Sequence, residues 1–184
     1  MATKTGDKTM NTTPHFDPLL DDELADALDW AGYDFNALPV ATREGYWGDC
    51  DFSGAKAVGI SWTNSYLRSA NFRKADLRGA DFCAALLSGA DFRDADLTGA
   101  SFELATISRT NFRGAKLPEL SAFKGAFVGH GKVEHIARRT NLPMRYVEYA
   151  YKTSMEVIAR LEAQRTESIY MQNDWASPQS IDKK

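Results

Sequence analysis

The residues that could run a reaction in this chain stand at spacings that do not support one. His130 and His135 are five apart, which sets them on different faces of a helix rather than on one metal-binding face. Cys50 and Cys83 form no paired motif, and the sequence holds no glycine-rich phosphate loop, no nucleophile elbow and no HExxH. The expectation is a non-catalytic protein that needs no cofactor and no metal. Regular spacing appears elsewhere, in side chains suited to recognition. Arg73, Arg93 and Arg113 are twenty apart, as are Tyr46, Tyr66 and Leu86. Guanidiniums pair with carboxylates and phosphates, and tyrosines offer apolar area with a polar tip. Such series matter only if the fold stacks positions twenty apart.

An internal repeat supplies that stacking. From Gly45 to Leu117 a large apolar residue returns every five positions: Trp47, Phe52, Ala57, Trp62, Leu67, Phe72, Leu77, Phe82, Leu87, Phe92, Leu97, Phe102, Ile107, Phe112 and Leu117. Two residues before each sits a smaller one, mostly alanine, except for Ile60, which pairs with the small Ala57. A five-residue period fits neither a helix, where it advances about 140 degrees past a turn, nor a flat strand, where an odd step flips the face. The chain must turn once per repeat, with the large and small positions inward and the other three in water.

ANFRK, ADLRG, ADFCA, ADFRD, ADLTG and ASFEL resemble the A(D/N)LXX units of the pentapeptide repeat family, and the resemblance covers fifteen units, about 73 residues. It implies an all-β repeat solenoid, a right-handed four-sided (quadrilateral) β-helix. Four sides also suit this sequence: twenty residues per coil give pure ladders, Phe52, Phe72, Phe92 and Phe112 against Leu77, Leu97 and Leu117, whereas fifteen would mix Phe with Leu. Fifteen units make 3.75 coils, a rod of about 18 Å at a strand spacing of about 4.8 Å.

Open solenoid ends expose core and backbone, so caps are expected. Asp17-Pro18 followed by LLDDELADALDWAG reads as a helix start with Leu20, Leu24 and Leu28 on one stripe. The expected organisation is a disordered 1–16, an acidic N-terminal capping helix and lead-in at 17–44, the coil at 45–117, and a glycine-marked linker at 118–131. A helical tail at 132–168 and a disordered 169–184 follow.

The outward columns carry the candidate sites. Tyr46, Tyr66 and Leu86, with Ala84 and Leu104 nearby, form an apolar patch, a partner or self-association site unless a terminal helix covers it. Arg73, Arg93 and Arg113 form a stripe for an anionic group or partner, offset in part by Asp91 and Asp94. Asp51, Asn71, Asp91 and Asn111, with Asp76, Asp81 and Asp96, read as turn-stabilising residues. In the tail, VEHIARRTNLPMRYVEYAYK resembles a helix-turn-helix, and Arg138, Arg139, Arg145, Tyr146 and Lys152 would then contact nucleic acid. A capping hairpin extended by Val157, Ile158 and Leu161 into a homodimer contact is the other reading.

Some proteins similar to this family bind DNA gyrase by resembling DNA. Charge tests that extension. The coil holds eight acids and nine bases, a net of +1, whereas an 18 Å DNA mimic needs about ten excess acids. Acid concentrates before it, at a net of -6 through Glu44. No apolar run approaches the roughly 20 residues of a membrane span, two cysteines make no disulfide scaffold, and the first residues lack the apolar core of a secretory signal. The expectation is a cytoplasmic interaction protein, a rigid rod whose columns and terminal helices bind a macromolecular partner, most simply a protein. Modulation of a DNA-processing enzyme such as gyrase, or DNA binding through the tail, are the alternatives.

Overall fold

The computed structural model describes residues 31, 32, 34 and 46–174, with side chains through 165. Its order is a coil from 46, a short 3-10 helix at Leu120–Phe123, and two helices, α1 (Val133–Thr140) and α2 (Met144–Asp174). The expected N-terminal cap helix and N-terminal disorder lie outside the described residues, apart from a short stretch near Asp34.

Parallel bridges join residues twenty apart in four sets: Tyr46–Tyr66–Leu86–Thr106, Asp51–Asn71–Asp91–Asn111, Lys56–Asp76–Asp96–Lys116 and Ser61–Asp81–Ser101. Four sets of one period mean four sides per coil. Each corner is a tight turn: Ala55 N donates to Phe52 O at 3.0 Å and Ala95 N to Phe92 O at 3.1 Å. The third residue of each turn has positive φ, filled by glycine at Gly54, Gly79 and Gly99 but by Lys74, Ala84, Asp94 and Leu104 elsewhere.

Inside, the large positions stack. Phe52, Phe72, Phe92 and Phe112 lie parallel at 4.9, 4.8 and 5.4 Å between centroids, and Trp62, Phe82, Phe102 and Phe123 form a second stack at 5.4, 5.1 and 5.0 Å. The two stacks meet edge to face, as for Phe92 against Phe102. All but Phe112 of these rings are at most 1% exposed, and alanines such as Ala70, Ala80 and Ala90 leave them room.

Phe123 corrects the expected end of the coil. The predicted linker at 118–131 is instead, through Val128, a continuation of the solenoid shifted by one residue. Phe123 stacks on Phe102, twenty-one residues earlier, Phe127 bridges Thr106, and Val128 is buried. The 3-10 helix after Pro118 absorbs the extra residue, which breaks the period in the sequence without breaking the stack. On the opposite end, Gly32 N donates to Ser53 O at 2.7 Å and Asp34 bridges Lys56, so the lead-in contributes a rung.

The helices seat on the last coil. Phe112 N donates to Thr140 O at 2.8 Å, in the place a next coil would occupy, and Asn141 in a left-handed conformation passes its side-chain amide to Asn111 Oδ1 at 3.0 Å. Tyr146 sets its ring edge-on to Phe123 at 5.4 Å and donates its hydroxyl to Pro118 O at 2.9 Å. Val147 and Ala150 are fully buried, and Gly125 N donates to Thr153 Oγ1 at 2.8 Å. α2 continues to Asp174, past the helical limit expected at 168.

Candidate functional site

The Asp/Asn column works as a row of backbone clamps. In these turns the short side chain accepts the N–H of the residue two ahead: Asp51 from Ser53 at 2.9 Å, Asp81 from Cys83 at 2.9 Å, Asn71 from Arg73 at 3.2 Å, Asp91 from Arg93 at 3.1 Å and Asn111 from Arg113 at 3.1 Å. These bonds fix where the next side chain leaves the coil. The arginine stripe is therefore aimed by the ladder beneath it.

Within that stripe the three arginines differ. Arg93 folds back onto Asp91, with Nε 2.8 Å from Oδ2, whereas Arg73 and Arg113 are exposed and have no ion-pair partner among the described residues. Burial alone would raise the Asp91 carboxyl; hydrogen bonds from the Arg93 side chain and amide outweigh it and hold the group below the usual carboxylate range. Asp94 makes no bond to the stripe but attracts Arg93 through space, so Asp91 and, more weakly, Asp94 offset part of its charge. The stripe thus presents two free guanidiniums flanking one that is neutralised. On another side Arg78 is paired with Asp76 at 2.8 Å and Lys116 with Asp96 at 3.0 Å.

The apolar column is longer than the sequence predicts. Tyr46 and Tyr66 lie 4.9 Å apart, Tyr66 bridges Leu86, and after Thr106 the column ends on Phe127, which the one-residue shift hides from a period of twenty. Tyr46 is 58% exposed, while Tyr66 and Leu86 are half-buried. Arg68 lies over the Tyr66 ring at 5.5 Å. Leu104 belongs to a corner, not to this column; it covers Gly125, beside which Val157 of α2 also packs.

In the tail, Tyr146 is corrected as a nucleic-acid candidate. At 7% exposure, with its hydroxyl bonded to Pro118, it holds α2 to the coil and cannot reach a base edge. Arg138, Arg139, Arg145 and Lys152 are exposed, and Arg145 stacks over the outer face of Tyr146 at 5.4 Å. Val157 turns toward the coil, leaving Ile158 and Leu161, with Tyr151 and Met155, as the exposed apolar face of α2.

Among the described residues no group of His, Cys, Asp and Glu could hold a metal, and no helix is long and apolar enough to cross a membrane. His130 sets its ring edge-on to Phe127 at 5.2 Å. The Cys83 thiol is pushed up by burial, with Asp81 and Glu103 adding to it, which opposes a nucleophilic thiolate.

Residues 48–83 and 85–119 match the family model described as pentapeptide repeats, in 8 copies. Solved structures similar to this chain include Rfr23, a pentapeptide repeat protein from the cyanobacterium Cyanothece 51142, 21% identical over 45% of this chain and 59% of that one, with a TM-score of 0.36. Trypsin-treated QnrB1, a plasmid-mediated fluoroquinolone resistance protein, is 25% identical over 49% of this chain and 46% of its own, with a TM-score of 0.37. HetL from the cyanobacterium Nostoc sp. strain PCC 7120, a pentapeptide repeat protein involved in heterocyst differentiation regulation, is 25% identical over 53% and 52%, with a TM-score of 0.23. The chain spans about half the length of these relatives. No curated protein sequence matched it.

Proposed function

We propose that this chain, whose coil is a run of pentapeptide repeats, is a non-catalytic, cytoplasmic interaction protein that binds an acidic surface on a protein partner. One observation carries the reading: the coil interior is filled with stacked rings at zero or near-zero exposure, so recognition falls to outward columns held in fixed register. Arg73 and Arg113 are the best-placed contacts, exposed and unpaired among the described residues, about 10 Å apart over two coil spacings. Tyr46 and Tyr66 on a neighbouring side add an apolar contact, and the outer face of α2, with Ile158 and Leu161, supplies a self-association surface. The near-neutral coil counts against gyrase modulation by DNA mimicry, and the buried Tyr146 counts against base readout by α2.

The test is affinity capture from native extract with the intact chain and with Arg73, Arg93 and Arg113 all changed to Ser, both treated with nuclease. A protein retained by the first and lost from the second supports the stripe. Equal recovery by both removes it, and recovery abolished by nuclease moves the function to nucleic acid.

A further inference from the structure

A cleft of about 370 Å³ opens where the coil meets α1, and its wall gathers arginines from three separate parts of the chain. Arg68 comes from an outward column, Arg109 from a coil corner at φ 61, and Arg139 from the last turn of α1. None of the three has an ion-pair partner among the described residues, and no acid lines the cleft. Three like charges facing one space repel each other unless an anion joins them. At the floor, Ser88 and Ser108 follow Arg68 in the same column at successive coils, and Ser108 Oγ is buried with no hydrogen-bond partner among the described residues. Gly129 crosses directly above it at φ 101, where a Cβ would sit 3.2 Å from Ser108 Oγ. The glycine backbone thus packs against the hydroxyl and shields it, leaving the arginines to line the open part of the cleft.

We infer that this cleft binds a small phosphate-bearing anion of the pyrophosphate class, gripped by Arg68, Arg109 and Arg139 where they converge beside Ser88 and Ser108. Guanidinium forks match phosphate oxygens two at a time, and several of them suit a ligand carrying several negative charges. The volume fits a small molecule, whereas the rounded backbone of a duplex would engage only the rim. This site lies apart from the Arg73 stripe and does not depend on it.

The test is titration calorimetry of the full chain with sodium pyrophosphate at constant ionic strength, with amide spectra recorded alongside and a short DNA duplex as a second titrant. Arg109→Gln and Arg139→Gln probe the site, and Arg73→Gln serves as the control. The expected result is one site, weakened about tenfold or more by either cleft arginine variant and not by Arg73→Gln, with shifts centred on Ser108, Arg109 and Gly129. Melting temperatures confirm that the variants fold, which exposed arginines should permit. Absence of binding near 1 mM, where even a weak site registers, would overturn the assignment. So would equal loss in Arg73→Gln, or duplex binding through the same arginines without pyrophosphate binding.

Discussion

Phe92 sits at the centre of the ring packing, and its truncation reads out how much the stacks hold the coil together. It is fully buried, parallel to Phe72 at 4.8 Å and Phe112 at 5.4 Å, and edge-on to Phe82 and Phe102 at 5.5 and 5.7 Å. Burying a phenylalanine side chain removes roughly 150–200 Å² from water, worth about 4 kcal/mol at about 25 cal/mol per Å². Phe92→Ala forfeits most of that and leaves a cavity the rigid coils above and below cannot close, so the expected loss is about 4 kcal/mol. A domain with a total stability of about 5–15 kcal/mol keeps a folded population but unfolds at much lower denaturant. Phe92→Leu, which refills much of the volume, should lose only about 1.5 kcal/mol. Urea unfolding followed by far-ultraviolet circular dichroism gives both values, with an unchanged slope showing that the same surface is exposed. A loss below about 1.5 kcal/mol for Phe92→Ala would refute the reasoning, because it would mean that the backbone ladders alone support the coil.

Other consequences are smaller and separable. Asp96 is held at about 2 by a hydrogen bond from Thr98 and then by Lys116, so its stabilisation is complete above the unfolded value near 3.8 and fades as pH falls toward 2. Asp96→Asn should flatten that part of an acid-unfolding curve, and an unchanged curve would count against the pairing. Gly99 sits at φ 73, so Gly99→Ala should cost about 1 kcal/mol, whereas Lys74→Gly, at φ 58 on an exposed corner, should cost nothing or add about 0.5 kcal/mol in thermal unfolding. If α2 pairs two rods through its outer face, Ile158→Asp with Leu161→Asp should shift sedimentation from dimer to monomer without changing the melting of the coil. A monomer at every concentration for the parent chain would rule the pairing out.

The coil was legible in the sequence because its period is short and its inward positions accept few residue types, so a ladder such as Phe52 to Phe112 stands out. The same regularity hid its continuation. One inserted residue after Pro118 moves Phe123 and Phe127 out of register, and Gly125 and Gly129, which serve as corners or close approaches, look like linker residues. The Asp and Asn clamps follow from local turn chemistry and were readable, but the fold-back of Arg93 onto Asp91 depends on side-chain torsions that spacing does not encode. Tyr146 matched a helix-turn-helix position only by standing at the start of the second helix, where such a motif places its groove contacts; the neighbouring Phe123 stack shows which way it faces. Stacking by twenty relates Arg68 to Ser88 and Ser108, yet Arg139 reaches the same cleft from a helix outside the repeat. Contacts between the repeat and its appendage follow no period.

Recognition through the arginine stripe is tested most directly by placing a photo-crosslinking residue at position 93 and, separately, at position 56 on another side of the coil, then irradiating each in native extract. A discrete protein adduct from position 93 that is absent from position 56 is the predicted result. No adduct from either position, or the same adducts from both, would contradict a partner docked on that side.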